Sequence, residues 1–283
     1  PNKLRMAMAG VDIVYHLAAL VAITSDMYEL MYKVNVEGTR NIIVACREMG
    51  VRRLVYTSSI HALGRPEAGT MVDETIEFDQ TNPSGAYDRT KAIASALVLE
   101  ATKNGLDAVI VLPTGVIGPN DFRRSEMGEM LLTWMKQKPS ISTDGAYDFV
   151  DVRDVAEGHI LAASLGRSGE AYLLSGTQVT VRDYRQLVQE AAGIHSHEIK
   201  IPGWFVKLIA PLAEFFYKIT RTRPRITKYA IETIQSNSCI TCQKAETELG
   251  YRRRPLRETV ADTVQWWREN RKRIKPSLRK SSL

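Results

Sequence analysis

The 283-residue chain reads as a doubly wound α/β protein: a parallel sheet covered by helices on both faces, followed by a smaller, mostly helical C-terminal lobe. Three features carry that reading. Short, nearly continuous apolar runs alternate with segments of helical period, as expected of parallel strands buried on both faces. The helical segments close on glycines, Gly50 and Gly105, the residue that most readily ends a helix. The residues of chemical interest gather where the apolar runs end, which is where doubly wound sheets hold their ligands.

Taken in order, "VDIVYHLAAL" (11–20) predicts a first strand, and the period from Tyr28 to Met49 a helix. "RRLVYTSS" (52–59) predicts a second strand and "AYDRTKAIASALVLEATKNG" (86–105) a second long helix. "DAVIVLPTGVIG" (107–118) reads as a third strand running into a Gly-Pro loop. "YDFVDVRDVAEGHILAASLG" looks like a short strand feeding a helix, and "EAYLLSG" like another strand. After Val179 the pattern is mostly helical, punctuated by Pro202, Pro211, Pro224 and Pro255.

Composition excludes several classes. With 25% charged and 44% hydrophobic residues the chain is an ordinary globular protein. Its net charge of +6 is local: Arg268, Arg271, Lys272, Arg273, Lys275, Arg279 and Lys280 face one acid, Glu269, so the tail from 268 to 283 carries it. That tail reads as a solvated terminus, with contact to a membrane surface left open. No basic-aromatic pattern points to nucleic acid. Three cysteines (Cys46, Cys239, Cys242) cannot build a disulfide framework, and a reducing cytoplasm is the expected compartment. "CITC" with His195 and His197 has the wrong spacing for a zinc site, so no metal is expected. "GWFVKLIAPLAEFFYKI" (203–219) is too short and too charged to span a bilayer, but could roof an apolar pocket.

"GAYDRTK" sets Tyr87 and Lys91 four residues apart at the start of a helix, hence on one face. An ammonium ~4 Å from a phenol stabilises the phenolate by about 4 kcal/mol at an effective dielectric near 20. The pair therefore predicts a tyrosine with its pKa drawn down from near 10 towards neutrality. Among eleven tyrosines such a pair can arise by chance; the neighbours decide.

Those neighbours resemble the extended short-chain dehydrogenase/reductase superfamily, which includes nucleotide-sugar epimerases, dihydroflavonol reductases and 3β-hydroxysteroid dehydrogenases. The likeness runs from Leu4 to Trp267 through "GVDIVYHLAA", "NVEGTRNII", "YTSS", "YDRTK", "LPTGVIGP" and "FVDVRDVAEGHILA", ending in "SNSCITCQKAETELGYRRRPLRETVADTVQWW". It implies a Rossmann-like NAD(P)-binding domain at 1–178, a substrate-binding lobe at 179–267 and the basic tail beyond. It implies Tyr87 as general acid/base and Lys91 lowering the Tyr87 pKa while holding the nicotinamide ribose. Ser59 would polarise the substrate oxygen and Asn35 would support the proton relay. Ala18, Ala19, Ser58, Tyr87, Lys91, Pro113 and Val116 would line NAD or NADP. The partners implied are a small-molecule substrate and, as an option, a second copy in a homodimer.

Two departures matter. Leu112 stands where many sugar-nucleotide epimerases carry Arg, which favours the reductase and steroid-like branch. No Gly-x-x-Gly-x-x-Gly run is present, so the sequence reads as lacking the first strands and the pyrophosphate-binding turn, by truncation or because another chain supplies them. The activity expected is an NAD(P)-dependent interconversion of hydroxyl and ketone on a small, apolar substrate. The alternatives are a nucleotide-sugar epimerase and a catalytically silent dinucleotide-sensing or scaffolding protein.

Overall fold

The structure, a computed structural model, describes residues 2–21, 27–67, 69–136, 139–142, 144–201, 239–271 and 274. Its first half contains α1 (Asn2–Met8), β1 (Ile13–His16), α2 (Tyr28–Met31), a π-helical stretch (Tyr32–Glu37), α3 (Gly38–Glu48), β2 (Arg53–Thr57) and α4 (Ala86–Lys103). There follow β3 (Ala108–Pro113), β4 (Gly115–Ile117), α5 (Glu126–Trp134), β5 (Ser140–Ser142), β6 (Ala146–Asp151), α6 (Val152–Leu165), β7 (Ala171–Leu174), β8 (Thr177–Thr180), α7 (Val181–Ala192) and β9 (Glu198–Lys200). Two further helices, α8 (Gln243–Leu249) and α9 (Leu256–Asn270), complete the described chain.

The four apolar runs make one parallel sheet in the order β1-β2-β3-β7. Successive side chains on a strand face opposite ways, and both faces are covered. Leu54, Tyr56, Ile110 and Leu112 pack with Ile43, Ala94 and Val98 of α3 and α4 on one side. Val55, Val109 and Val111 pack with Val155 and Ala162 of α6 and with Ala245 and Leu249 of α8 on the other. Each fully buried Val, Leu or Ile contributes about 1.5–3 kcal/mol. That is why the strands read as unbroken apolar runs. Helix α4 lies close to its neighbours because Ala86, Ala92, Ala94 and Ala101 fill its buried face. Gly105, at φ +87°, lets the chain turn back into β3.

Two elements differ from the sequence reading. The stretch "DAVIVLPTGVIG" is two strands, not one. After Pro113 the chain leaves the main sheet, because Thr114 donates its hydroxyl to Asp148 at 2.6 Å. The Tyr147 ring occupies the space a side chain at Gly115 would need. β4 then pairs with β6, which pairs antiparallel with β8, in a separate small sheet. The helix expected from Tyr28 to Met49 carries a π-helical interruption at Tyr32–Glu37, where Asn35 reaches out to the chain beyond β1.

A third core joins Ile117, Leu131, Phe149, Tyr184, Val188, Val260 and Trp267, so that β4 and α5 pack with α7 and α9. α7 starts at Thr180, whose hydroxyl accepts the Asp183 N–H at 3.0 Å, and ends at Gly193 in the left-handed region. The 203–219 stretch, Pro202, Pro211, Pro224 and most of the basic tail lie outside the described residues. Among the described residues no helix is long and apolar enough to cross a membrane.

Candidate active site

The site begins at the C-terminal end of β2, where the chain leaves the sheet through Ser58 and Ser59. Ser59 caps a short 3₁₀ turn, Ile60–Ala62, its oxygen accepting the His61 N–H at 3.3 Å. That leaves the Ser59 hydroxyl proton to be donated elsewhere. Tyr87 is the second residue of α4 and is partly buried beside it. Burial pushes the Tyr87 phenol up to about 12, the Ser59 hydrogen bond pulls it back, and the Asp88 carboxylate raises it further. This corrects the expectation of a phenol near neutrality. The Lys91 ammonium does not rest on the Tyr87 oxygen. It donates to Thr57 O at 2.6 Å and lies 5.1 Å from the centre of the Tyr56 ring. The long lysine stem carries its charge past its i−4 neighbour to the strand end.

Lys91 is 3% exposed, and burial lowers its pKa to about 8. A lysine buried this deeply on a helix face otherwise packed with Ala and Thr has a purpose other than packing. Next to it, His16 at the end of β1 hydrogen-bonds Thr39 through Nε2 at 3.0 Å. Burial, then the Lys91 charge, holds His16 near 4 and therefore neutral. Behind the lysine, Thr57 Oγ1 meets His159 Nε2 at 2.7 Å.

Of the residues expected to act, the structure brings Ser59, Tyr87 and Lys91 together around the ends of β2 and the first turns of α4. Asn35 is differently engaged. Its Oδ1 accepts from Leu20 N at 2.7 Å, and its Nδ2 donates to Leu20 O at 3.0 Å and to Thr90 Oγ1 at 3.1 Å. It fixes the loop that carries Ala18 and Ala19 rather than touching Lys91. Ser58 also turns inward: Ser95 donates to Lys91 O at 2.8 Å, so the 2.6 Å contact between the two serines is Ser58 donating to Ser95. Its side chain is spent within the protein. Pro113 is buried at the end of β3, and Val116 is exposed on β4. Leu112, the departure that favoured the reductase branch, lies wholly inside the core under α4.

Sequence reasoning missed two groups. His61 Nε2 meets the Tyr147 hydroxyl at 2.6 Å. Burial lowers the pKa of His61, and it raises that of Tyr147, which also senses the nearby Tyr87. This pair borders the Ser59–Tyr87 end of the site, but Tyr147 arrives on β6, with nothing in its local sequence to announce it. His159 lies within the stretch read as a helix after a short strand, and nothing in its local sequence sets it apart.

Residues 1–185 match the model of the 3-beta hydroxysteroid dehydrogenase/isomerase family. Sterol demethylase protein B of Methylococcus capsulatus is 34% identical over 272 residues, 95% of this chain and 82% of that protein. The 3beta-hydroxysteroid-dehydrogenase/decarboxylase isoform 1 of Arabidopsis thaliana is 32% identical, over 90% of this chain and 62% of its own. The crystal structure of gox2253 superposes with a TM-score of 0.81 at 33% identity, covering 97% of this chain and 83% of that one. The dTDP-glucose 4,6-dehydratase DesIV of Streptomyces venezuelae, solved with NAD and TYD bound, has a TM-score of 0.75 at 21% identity, over 97% of this chain and 78% of its own. At that identity it speaks for the parallel-sheet fold alone.

Proposed function

Because the chain belongs to the 3-beta hydroxysteroid dehydrogenase/isomerase family, we propose that it is an NAD(P)-dependent oxidoreductase interconverting a hydroxyl and a ketone on a small, apolar substrate. The observation that carries this is the buried Lys91 ammonium held at the end of β2 beside a protonated Tyr87 and the Ser59 hydroxyl. Support for an apolar substrate comes from the relatives, whose names are those of sterol and hydroxysteroid enzymes.

The residues present fit the nicotinamide-ribose end of a dinucleotide. Lys91 has three N–H donors, and Thr57 O is the one oxygen Nζ is hydrogen-bonded to among the described residues. Its remaining donors suit ribose hydroxyls. Ala18 and Ala19 beyond β1 and Val116 on β4 would line the same ligand. No residue is assigned to the phosphates. The bound cofactor would supply the hydride chemistry. Tyr87, neutral with its pKa near 12, holds a proton at Oη to give to the oxygen of a ketone as negative charge grows there. Ser59 donates a second hydrogen bond to the same oxygen. In the reverse direction Tyr87 Oη takes the proton back, with the Ser59 hydrogen bond, which lowers the Tyr87 pKa, easing that step.

A thermal-shift panel tests the substrate class. Hydrophobic ketones or alcohols, with NAD(P)(H) present, should raise the melting temperature; a ligand at one hundred times its Kd adds about 2.7 kcal/mol. Stabilisation by nucleotide sugars alone would move the assignment to an epimerase.

A further inference from the structure

We propose that His159 is a positioning residue for Lys91, acting through Thr57 from the opposite face of the sheet. Tyr56 faces α4, so Thr57, the next residue on β2, faces α6. Its side chain meets His159 while its carbonyl, at the strand end, receives the lysine that arrives from α4. A line of hydrogen bonds thus crosses the sheet: Lys91 Nζ to Thr57 O at 2.6 Å, Thr57 Oγ1 to His159 Nε2 at 2.7 Å, and His159 Nδ1 to Val155 O at 2.7 Å.

The direction of each bond follows from chemistry. Val155 O can only accept, so Nδ1 of His159 carries the proton. Burial lowers the pKa of the imidazole and favours its neutral form, the hydrogen bond to Val155 O opposing it. Nε2 is therefore an acceptor, and Thr57 donates to it. Thr57 is β-branched and stiff about χ1, so anchoring its hydroxyl anchors its Cα. The Thr57–Ser58 peptide is held at its other end by Ser58 N donating to Val111 O at 2.8 Å. With both ends tied, the carbonyl is presented to Lys91 in one orientation.

α6 is itself set to reach. The end of the buried Leu174 side chain fills the space where a Cβ at Gly158 would stand, so glycine lets the helix lie close to the sheet beside His159. At the base of the same strand, Arg53 donates to Ala163 O and Gly166 O of the α6 terminus at 3.0 and 2.9 Å. That contact already fastens α6 to β2, which leaves the His159 bond a separate task. The titratable groups about the ammonium are His16 from β1, Tyr56 from β2 and Tyr87 from its own helix.

What this positioning serves rests on the proposed role of Lys91, but the test does not need activity. Protein labelled with ε-¹³C-lysine would be titrated by NMR, the Lys91 signal assigned by its loss in Lys91→Met. Thr57→Val and His159→Leu should each lower the Lys91 pKa by about one pH unit, since a Thr57 carbonyl no longer held in one orientation stabilises the buried ammonium less well. The double variant should do no more than either single one. Thr57→Ser and His159→Gln, which keep the hydroxyl and an acceptor, should titrate like the parent. NADH or NADPH affinity at pH 7 should fall about tenfold in the first two, the size of one hydrogen bond to a charged group. An unchanged Lys91 titration in folded Thr57→Val and His159→Leu, checked by circular dichroism, would overturn the proposal. Failure of the parent to bind either dinucleotide would instead count against the cofactor reading and leave the titration to decide the role of His159.

Discussion

Lys91 is where the chemistry proposed for this protein conflicts with its stability. Its pKa falls from the usual 10.5 to about 8 on folding, so between those values the folded state binds fewer protons than the unfolded one. Stability therefore rises with pH across that window, and below pH 8 the burial of the charged form is fully felt. At ~1.4 kcal/mol per pH unit this is on the order of 3 kcal/mol. Lys91→Met is expected to be more stable than the parent at pH 7 in urea denaturation, with the advantage shrinking by pH 10, and to bind dinucleotide worse. A variant less stable than the parent at pH 7 would contradict the burial argument. Tyr87→Phe is a cleaner removal, taking away one oxygen. Turnover should fall by several orders of magnitude with cofactor affinity nearly unchanged, and equal losses in both would contradict its role as proton donor.

At the scale of elements, the π-helical stretch between α2 and α3 is the feature with most consequence for the site. π-turns inside helices often mark functional positions, and this one carries Asn35, whose amide is committed to Leu20 and Thr90. Asn35→Ala should free the loop after β1. Amide hydrogen exchange at Leu20 should accelerate at least about tenfold, the loss of roughly one buried hydrogen bond. Unchanged exchange there would mean the loop is held by something else. Much of this was legible in the sequence. The strands of the main sheet and α4 follow from apolar runs and helical period, the shared face of Tyr87 and Lys91 from their spacing, and the place of Ser59 beside them from the family resemblance. What was not legible is what side chains do across the sheet. Periodicity placed Lys91 on the face of Tyr87 but could not say that its ammonium would go to Thr57 O. Nor could local sequence reveal the division at Thr114, which depends on Asp148, or the meeting of His61 with Tyr147 from β6.

For the whole molecule, two sheets meet at this site. The main sheet ends in Thr57 and Pro113, with Ser59 just beyond β2, and the small sheet of β4, β6 and β8 brings Tyr147 to His61 beside them. The third core packs the small sheet with α5, α7 and α9. In the proposed reaction Tyr87 protonates an oxygen while hydride reaches the adjoining carbon. The most direct measurement is deuteride transfer. The protein would be incubated with NADH or NADPH deuterated at C4 in either configuration and with a panel of cyclic and steroid ketones, and the alcohols analysed by mass spectrometry. We expect deuterium at the carbinol carbon from one cofactor face with the parent, and transfer reduced by orders of magnitude in Tyr87→Phe. Cofactor that binds but passes no deuterium to any ketone, or a Tyr87→Phe variant that transfers as fast as the parent, would contradict it.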